Sequence, residues 1–248
     1  MIPAPAPITA LILAAGQSSR SAPHHKLLVA DATGTPMIVR TLQAVCIGAV
    51  DHVVIVLGHR AAELQAAIDA HAPYARPVNI TVAADHATGL SASLRAGLQA
   101  IADRPAAGVL VCLGDMPNLR PDLIDRLITR HRRDTPPVTI PVHAGRQGHP
   151  VLWDRTMIPE LRTLNGDRGG GALIRTLGAR AAIVPGDETI HEDFDTPARL
   201  ERFAVTMSSP GPSPGPPPGP PPEPHPRAVD RPRPGVGEGQ ARPGWPPT

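Results

Sequence analysis

The sequence is poor in aromatic residues, in cysteine and in excess charge of either sign. Phe, Trp and Tyr together make up 2% of the 248 residues, and the formal net charge is +2 at pH 7. Nucleic-acid-binding proteins usually carry a basic stripe with aromatic residues beside it, so this composition argues against that class. The two cysteines, Cys46 and Cys112, lie in apolar segments and are predicted to be buried free thiols, not parts of a disulfide framework.

The sequence also lacks a long hydrophobic run and a targeting segment. No apolar stretch approaches the roughly 18 residues of a candidate membrane span. The first residues, M-I-P-A-P-A-P, have neither the basic region nor the long apolar region of a signal peptide. We therefore expect a soluble, cytoplasmic protein that binds neither a membrane nor nucleic acid.

Proline is abundant, but about half of the 33 prolines fall in the segment 208–248. This segment consists mainly of Pro, Gly and Ser and has little apolar surface, so ordering it would cost more entropy than packing returns. It is predicted to be a disordered tail. The rest, 1–207, is long enough for one α/β domain.

Within 1–207, apolar runs typical of buried strands alternate with stretches of helical periodicity. The strongest strand predictions cover residues 8–13, 52–57 and 107–113. The alternation predicts an α/β fold with a mostly parallel sheet and helices on both faces. Ligands of such sheets bind beyond the carboxyl ends of the strands, so the loops that follow residues 13 and 113 are expected at the same edge.

The loop after the first strand is the strongest functional signal, reading L-A-A-G-Q-S-S-R-S-A-P-H-H-K over 13–26. Small residues let the backbone approach a ligand with its N–H groups. Arg20 and Lys26 supply the positive charge that a polyphosphate needs. Neither the P-loop pattern nor the dinucleotide-binding fingerprint is present. The alternative to a polyphosphate-binding loop is an ordinary strand-to-helix connection with surface cations.

Acidic residues follow at two distant positions. Asp115 comes directly after the strand 107–113, whereas Asp193 and Asp195 precede a helix predicted to begin near Pro197. Each acid alone could simply cap a turn or a helix. Two carboxylates from separate loops can instead hold one Mg²⁺, which keeps its other positions for water and phosphate oxygens.

Three further segments are candidates for ligand binding. Ser91 and Ser93 lie in the first turn of a helix predicted to begin near Leu90, where hydroxyls can cap the helix or bind an anion. The glycine-rich segment 166–171 also opens onto a helix and is either a plain loop or an anion-binding one. His149 precedes a predicted strand, and a structural role is the simpler interpretation.

Taken together, these blocks resemble a known family. In order, the sequence contains L-A-A-G-Q-S-S-R…K, G-L-S-A-S-L-R-A-G-L, L-G-D-M-P, G-R-Q-G-H-P-V-L, G-D-R-G-G-G-A-L and D-F-D-T-P, spread over residues 8–204. This series resembles the MobA-like nucleotidyltransferases and, within them, the molybdenum cofactor cytidylyltransferase branch. The guanylyltransferase branch usually has L-A-G-G at the loop, and here Ala15 stands at the first of those glycines.

The resemblance implies a Rossmann-like nucleotidyltransferase fold. It also implies an enzyme that transfers CMP from CTP to the terminal phosphate of molybdopterin and releases pyrophosphate. The implied cofactor is Mg²⁺, and a molybdoenzyme or its chaperone is the implied protein partner. The alternatives are a transferase that uses GTP or another acceptor, and a non-catalytic nucleotide-binding accessory protein for molybdoenzyme maturation.

The resemblance also assigns roles to individual residues. The catalytic residues are Arg20, Lys26 and Asp115, with the two cations on the triphosphate. Asp115 and Asp195 coordinate the metal. The remaining nucleotide contacts are assigned to Leu13, Ala14, Ala15, Gly16, Gly89 and Ser91, the last two near the base or ribose. His149 and the segment 166–171 face the pterin. The chain departs from the family at Ser21-Ala22, where Met-Gly or Phe-Gly is common, and at Ala83, where Asn is frequent.

Overall fold

In a computed structural model, residues 6–17, 25–166, 169–192 and 194–206 are described. These residues form eight strands: β1 (Ile8–Ala14), β2 (His52–Leu57), β3 (Val78–Val82), β4 (Gly108–Leu113), β5 (Val138–His143), β6 (Arg146–Gln147), β7 (Val151–Asp154) and β8 (Ala181–Pro185). The helices among them are α1 (Met37–Ile47), α2 (Ala61–Asp69), α3 (Leu90–Ala100), α4 (Pro121–Asp134), α5 (Ile158–Arg162), α6 (Gly171–Leu177) and α7 (Pro197–Thr206). The predicted tail, 208–248, lies outside the described residues.

The strands form one mixed sheet in the order β3-β2-β1-β4-β7-β5-β6, with β8 paired to β5. β1 pairs in parallel with β2 and β4, and β2 pairs in parallel with β3. β7 runs antiparallel to both β4 and β5. The predicted mostly parallel α/β fold is confirmed. The chain reverses at a tight turn between β5 and β6, in which Ala144 and Gly145 have positive φ angles of 48° and 74°, and β7 follows β6.

β1 is buried along its whole length because it lies between two other strands and is covered on both faces. Its side chains alternate between two hydrophobic cores. Ala10 and Ile12 belong to the first core, formed with α1, α2, α4 and α7, whereas Leu11 and Leu13 belong to the second, formed with α3, α5 and α6. This alternation follows from the two-residue period of a strand. It explains why the run 8–13 is apolar at every position except Thr9, which is also buried.

Cys46 and Cys112 are buried free thiols, as predicted. Burial raises the pKa of Cys46 to about 11 and raises that of Cys112 as well. Both residues therefore act as core side chains. In the described ranges, no helix is long and apolar enough to cross a membrane.

Candidate active site

A cleft of about 620 Å³ opens at the carboxyl ends of β1 and β4. Its walls come from the residues that follow these two strands, from the start of α3, and from Lys26 and Asp195. The position agrees with the rule that α/β sheets bind ligands beyond the carboxyl ends of their strands. The loop after β1 and the acid after β4 therefore meet, as the sequence predicted.

The residues after β1 present backbone to this cleft. The amide of Gly114 donates to the carbonyl of Leu13 at 2.9 Å, and the amide of His59 donates to the carbonyl of Ala15 at 3.3 Å. Ala15 is thereby fixed and buried, whereas Gly16 is exposed, and apart from its chain neighbours no described residue has an atom within 4 Å of the place a Cβ would occupy. The chain leaves the sheet at Ala15, and Gly16 offers open backbone to a ligand.

Gly58, at the end of β2, makes this arrangement possible. A Cβ on Gly58 would lie 2.7 Å from the Cβ of Ala15, 2.8 Å from the carbonyl oxygen of Ala15 and 2.7 Å from the Cβ of His86. Contacts this short are essentially never seen for real Cβ atoms, so a side chain at this position would push the loop out of place. A glycine here lets the ends of β1 and β2 approach each other closely.

Lys26 and the two predicted metal ligands come together in this cleft. The Lys26 ammonium donates to Asp115 Oδ2 at 2.6 Å and also to Asp195 Oδ1. All three side chains are largely buried, with 16%, 22% and 20% of their surface exposed. Asp115 and Asp195 lie 89 and 169 positions after Lys26 in the chain, so only the fold brings them into contact with it.

Each of these charged residues is held by a buried apolar neighbour. Leu27, Met116 and Phe194 adjoin Lys26, Asp115 and Asp195 in the chain, and all three belong to the first core. Lys26 itself begins a short 3₁₀ turn, Lys26–Leu28, in which the amide of Val29 donates to the Lys26 carbonyl at 3.2 Å. The backbone positions of the three charges are therefore fixed by packing.

The two carboxylates decide the charge state of Lys26. Burial by itself would lower the pKa of the ammonium, but the charges and hydrogen bonds of Asp115 and Asp195 outweigh burial and raise the pKa above its ordinary value. Lys26 is therefore fully charged at neutral pH. Its charge balances part of the repulsion between two acids that face the same small volume.

The start of α3 carries two serines that lie in different cavities. Ser93 lines the cleft, whereas Ser91 lines a neighbouring cavity and lies within hydrogen-bonding reach of Arg95, at 3.4 Å. Residues two apart on a helix point about 200° apart, so the two serines cannot share a face. Neither caps the helix; its first residue is preceded by Gly89, whose φ of 113° suits glycine and which lines the cleft.

A second cavity of about 140 Å³ lies beside the cleft and shares the walls Leu13, Leu90, Leu113 and His149. Its other walls are mostly apolar and include Trp153 and the glycines 169–171. Burial lowers the pKa of His149, and the opposing effect of Asp115 is smaller. The predicted acceptor-side residues thus lie together, next to the acids.

Some predicted residues lie outside the described residues, namely Arg20, Asp193 and part of the segment 166–171. Other cleft residues had no role assigned to them from the sequence: Gln17, His86, Met116 and Glu192. Gln17 and Met116 adjoin the predicted residues Gly16 and Asp115, and this adjacency is the one signal that could have identified members of this group. Over the described ranges, no group of three or more His, Cys, Asp or Glu residues is arranged to hold a metal.

Comparison with known proteins identifies the family. The sequence profile of the MobA-like NTP transferase domain matches residues 10–182, which is more than half of the chain. The chain belongs to the MobA-like NTP transferase family. The match contains the β1 loop, Lys26 and Asp115, and it ends before Asp195.

This MobA-like protein is also similar to individual proteins over most of its length. It is 26% identical to the purine catabolism protein PucB of Bacillus subtilis (strain 168), over 80% of this chain and 96% of PucB. The structure of Rv0371c from Mycobacterium tuberculosis H37Rv is 27% identical, with a TM-score of 0.68 over 80% of this chain and 97% of that one. A complex of Rv0371c with manganese has a TM-score of 0.62 and 26% identity, covering 80% and 98% of the two chains.

Proposed function

We propose that this MobA-like nucleotidyltransferase transfers CMP from CTP to the terminal phosphate of molybdopterin and releases pyrophosphate. The observation that carries the proposal is the contact of one lysine with two carboxylates beside a small-residue loop in a single cleft. A nucleotidyltransferase needs that combination, because it must hold a triphosphate, a metal ion and an anionic acceptor in one place.

The donor set fits a divalent metal ion. Asp115 and Asp195 offer carboxylate oxygens close enough for one ammonium nitrogen to contact both. Two carboxylates are typical of Mg²⁺ sites, in which water and substrate phosphates complete the octahedron. The manganese complex of the similar Rv0371c supports the choice of a divalent ion. We assign Mg²⁺ to this pair, and when bound it would neutralise the charge that develops on the phosphates.

The residues of the chain position the two substrates. The backbone at Ala14–Gly16 approaches the nucleotide, Lys26 and Arg20 hold the triphosphate, and Gly89 and Ser93 line the nucleotide side of the cleft. An oxygen of the acceptor phosphate attacks the α-phosphorus of CTP in line, and the bond from the α-phosphorus to the bridging oxygen breaks. Pyrophosphate leaves with that electron pair. The acceptor phosphate is already an anion, so no side chain has to act as a general base.

The preference for CTP is the part of this proposal that rests on Ala15. Its side chain packs against the backbone of β2 at Gly58, and its carbonyl is held by His59. Ala15 also distinguishes this loop from L-A-G-G, the form that the guanylyltransferase branch usually has. The competing function is a transferase that uses GTP or a different phosphorylated acceptor in the same cleft.

A paired nucleotide assay tests the proposal. Pyrophosphate release is measured with CTP and with GTP, each with molybdenum-loaded molybdopterin and Mg²⁺. We expect release with CTP to exceed release with GTP by at least about tenfold, the effect of roughly 1.4 kcal/mol in the transition state. A preference for GTP would overturn the choice of nucleotide. Nucleotide binding without pyrophosphate release would identify a non-catalytic accessory protein.

A further inference from the structure

We infer that Lys26 competes with the divalent metal ion for the Asp115–Asp195 pair, so that a bound triphosphate admits the metal by drawing the lysine away. This inference rests on the proposed function, since it uses the metal and triphosphate assigned there. It adds that the metal ion and the triphosphate affect each other's binding, which does not follow from the roles assigned to the individual residues.

The first argument is the use of the same oxygens. The Lys26 ammonium has three hydrogen-bond donors, and two of them are directed at Asp115 Oδ2 and Asp195 Oδ1. A metal ion bound by the pair needs oxygen atoms of these same carboxylates. The ammonium and the metal therefore seek one place between the two acids.

The second argument is charge. With Lys26 between the acids, one positive charge already faces the pair, and a divalent ion arriving there would meet direct repulsion at contact distance. Among the described residues that line the cleft, Lys26 is the sole lysine or arginine. Because Lys26 contacts both carboxylates directly, its movement takes a positive charge away from them. Solvent screens this repulsion only in part, because all three side chains are largely buried.

The third argument is that Lys26 can move without disturbing the fold. Its backbone is fixed by the 3₁₀ turn and by buried Leu27, but its ammonium stands on four flexible methylene groups. Gly16 and Gln17, beside which the triphosphate would bind, line the same cleft as Lys26. The ammonium can thus pass from carboxylate to phosphate by rotation about side-chain bonds.

The direction in which metal affinity changes on removal of Lys26 distinguishes competition from a structural role. If Lys26 merely organises the acids, its removal disorders them and weakens metal binding. If Lys26 competes with the metal, its removal takes away the competing charge and strengthens the binding of metal alone. Thermodynamic linkage then requires that nucleotide raise metal affinity, and metal raise nucleotide affinity, by the same factor.

The test is a titration of the full-length protein with Mn²⁺ alone, followed by electron paramagnetic resonance of the free ion. Three proteins are compared: wild type, Lys26→Met, which removes the charge at similar length, and Lys26→Arg, which keeps it. We expect Lys26→Met to bind Mn²⁺ about tenfold more tightly than wild type and Lys26→Arg to stay close to wild type. Equal or weaker binding of Mn²⁺ by Lys26→Met would overturn the inference.

A second readout protects the test against loss of folding. Thermal unfolding is measured for the same proteins with and without Mn²⁺, and the increase in Tm on adding Mn²⁺ should be larger for Lys26→Met than for wild type. An equal or smaller increase contradicts competition. Neither measurement contains an acceptor or a transfer step. Tighter Mn²⁺ binding in Lys26→Met with no CMP transfer by wild type would therefore reject the proposed function and leave the competition intact.

Discussion

Replacement of Asp115 by asparagine should remove the negative charge at the proposed metal site and keep the shape of the side chain. The side chain of Asp115 is 22% exposed, and its Oδ2 accepts a hydrogen bond from Lys26 at 2.6 Å. The amide of asparagine has nearly the same size, and its carbonyl oxygen can still accept that bond. What the variant loses is one negative charge facing the metal.

The structure sets the expected size of both effects. Loss of one preorganised charge-stabilising group at a transition state costs about 3–4 kcal/mol, so CMP transfer should fall by about 10²–10³-fold. The free energy of unfolding should change much less, on the order of 1 kcal/mol, because Lys26 keeps its contact with Asp195 and the pair is not fully buried. A large loss of activity with nearly unchanged stability is therefore the signature of Asp115 as a metal ligand.

The assay is pyrophosphate release at saturating CTP and acceptor over a range of Mg²⁺ concentrations, with thermal unfolding measured in parallel. Glu192→Gln is the matched control, because Glu192 lines the same cleft but accepts a hydrogen bond from Asn118 Nδ2 at 2.5 Å. Its rate should stay within a few-fold of wild type. The reasoning is refuted if Asp115→Asn keeps a rate within a few-fold of wild type, or if Glu192→Gln loses as much.

Two further predictions concern the framework of the site. Gly58→Ala should lower stability by about 1–3 kcal/mol and weaken CTP binding, since its Cβ would lie 2.8 Å from the Ala15 carbonyl oxygen; thermal melts and a CTP titration check this, and an unchanged Kd would contradict it. Asp31→Ala should cost about 3–5 kcal/mol at neutral pH, because the buried Asp31 carboxylate pairs with Arg40. Burial alone would raise the pKa of Asp31, but hydrogen bonds from Thr33, Thr35 and Arg40 outweigh it and lower the pKa. The difference in free energy of unfolding between wild type and Asp31→Ala should therefore narrow as the pH falls through the lowered pKa of Asp31. Thermal melts across acid pH check this, and a difference that stays constant would contradict it.

The strands of the fold could be predicted well because their signal is local. The mostly apolar runs at 8–13 and 52–57 became β1 and β2 with bounds within one residue, since both are covered on both faces and need apolar side chains at most positions. The reversed direction of β7 could not be predicted in this way. A buried strand has the same apolar pattern whichever way it runs, so only its tertiary partners decide the direction.

The site was predicted by residue type but not by contact. Asp115 and Lys26 were both assigned to it, yet their direct pairing depends on the packing of segments 89 positions apart. Ser91 shows the opposite case, because the helix period alone places it on a different face from Ser93. Arg20 remains a prediction, since it lies outside the described residues.

The cleft joins two parts that the fold supports separately. The charged residues adjoin Leu27, Met116 and Phe194, which belong to the first core, whereas the cavity beside them is walled by Leu94 and Trp153 of the second. The sheet lies between the two cores, so a substitution in the second core can reshape the cavity proposed for the acceptor without moving the acids. Changes of acceptor within this family should therefore map to the second core, while the lysine and the two acids keep their geometry. We expect substitutions around Trp153 to change the preferred acceptor and to leave the affinity for Mn²⁺ unchanged.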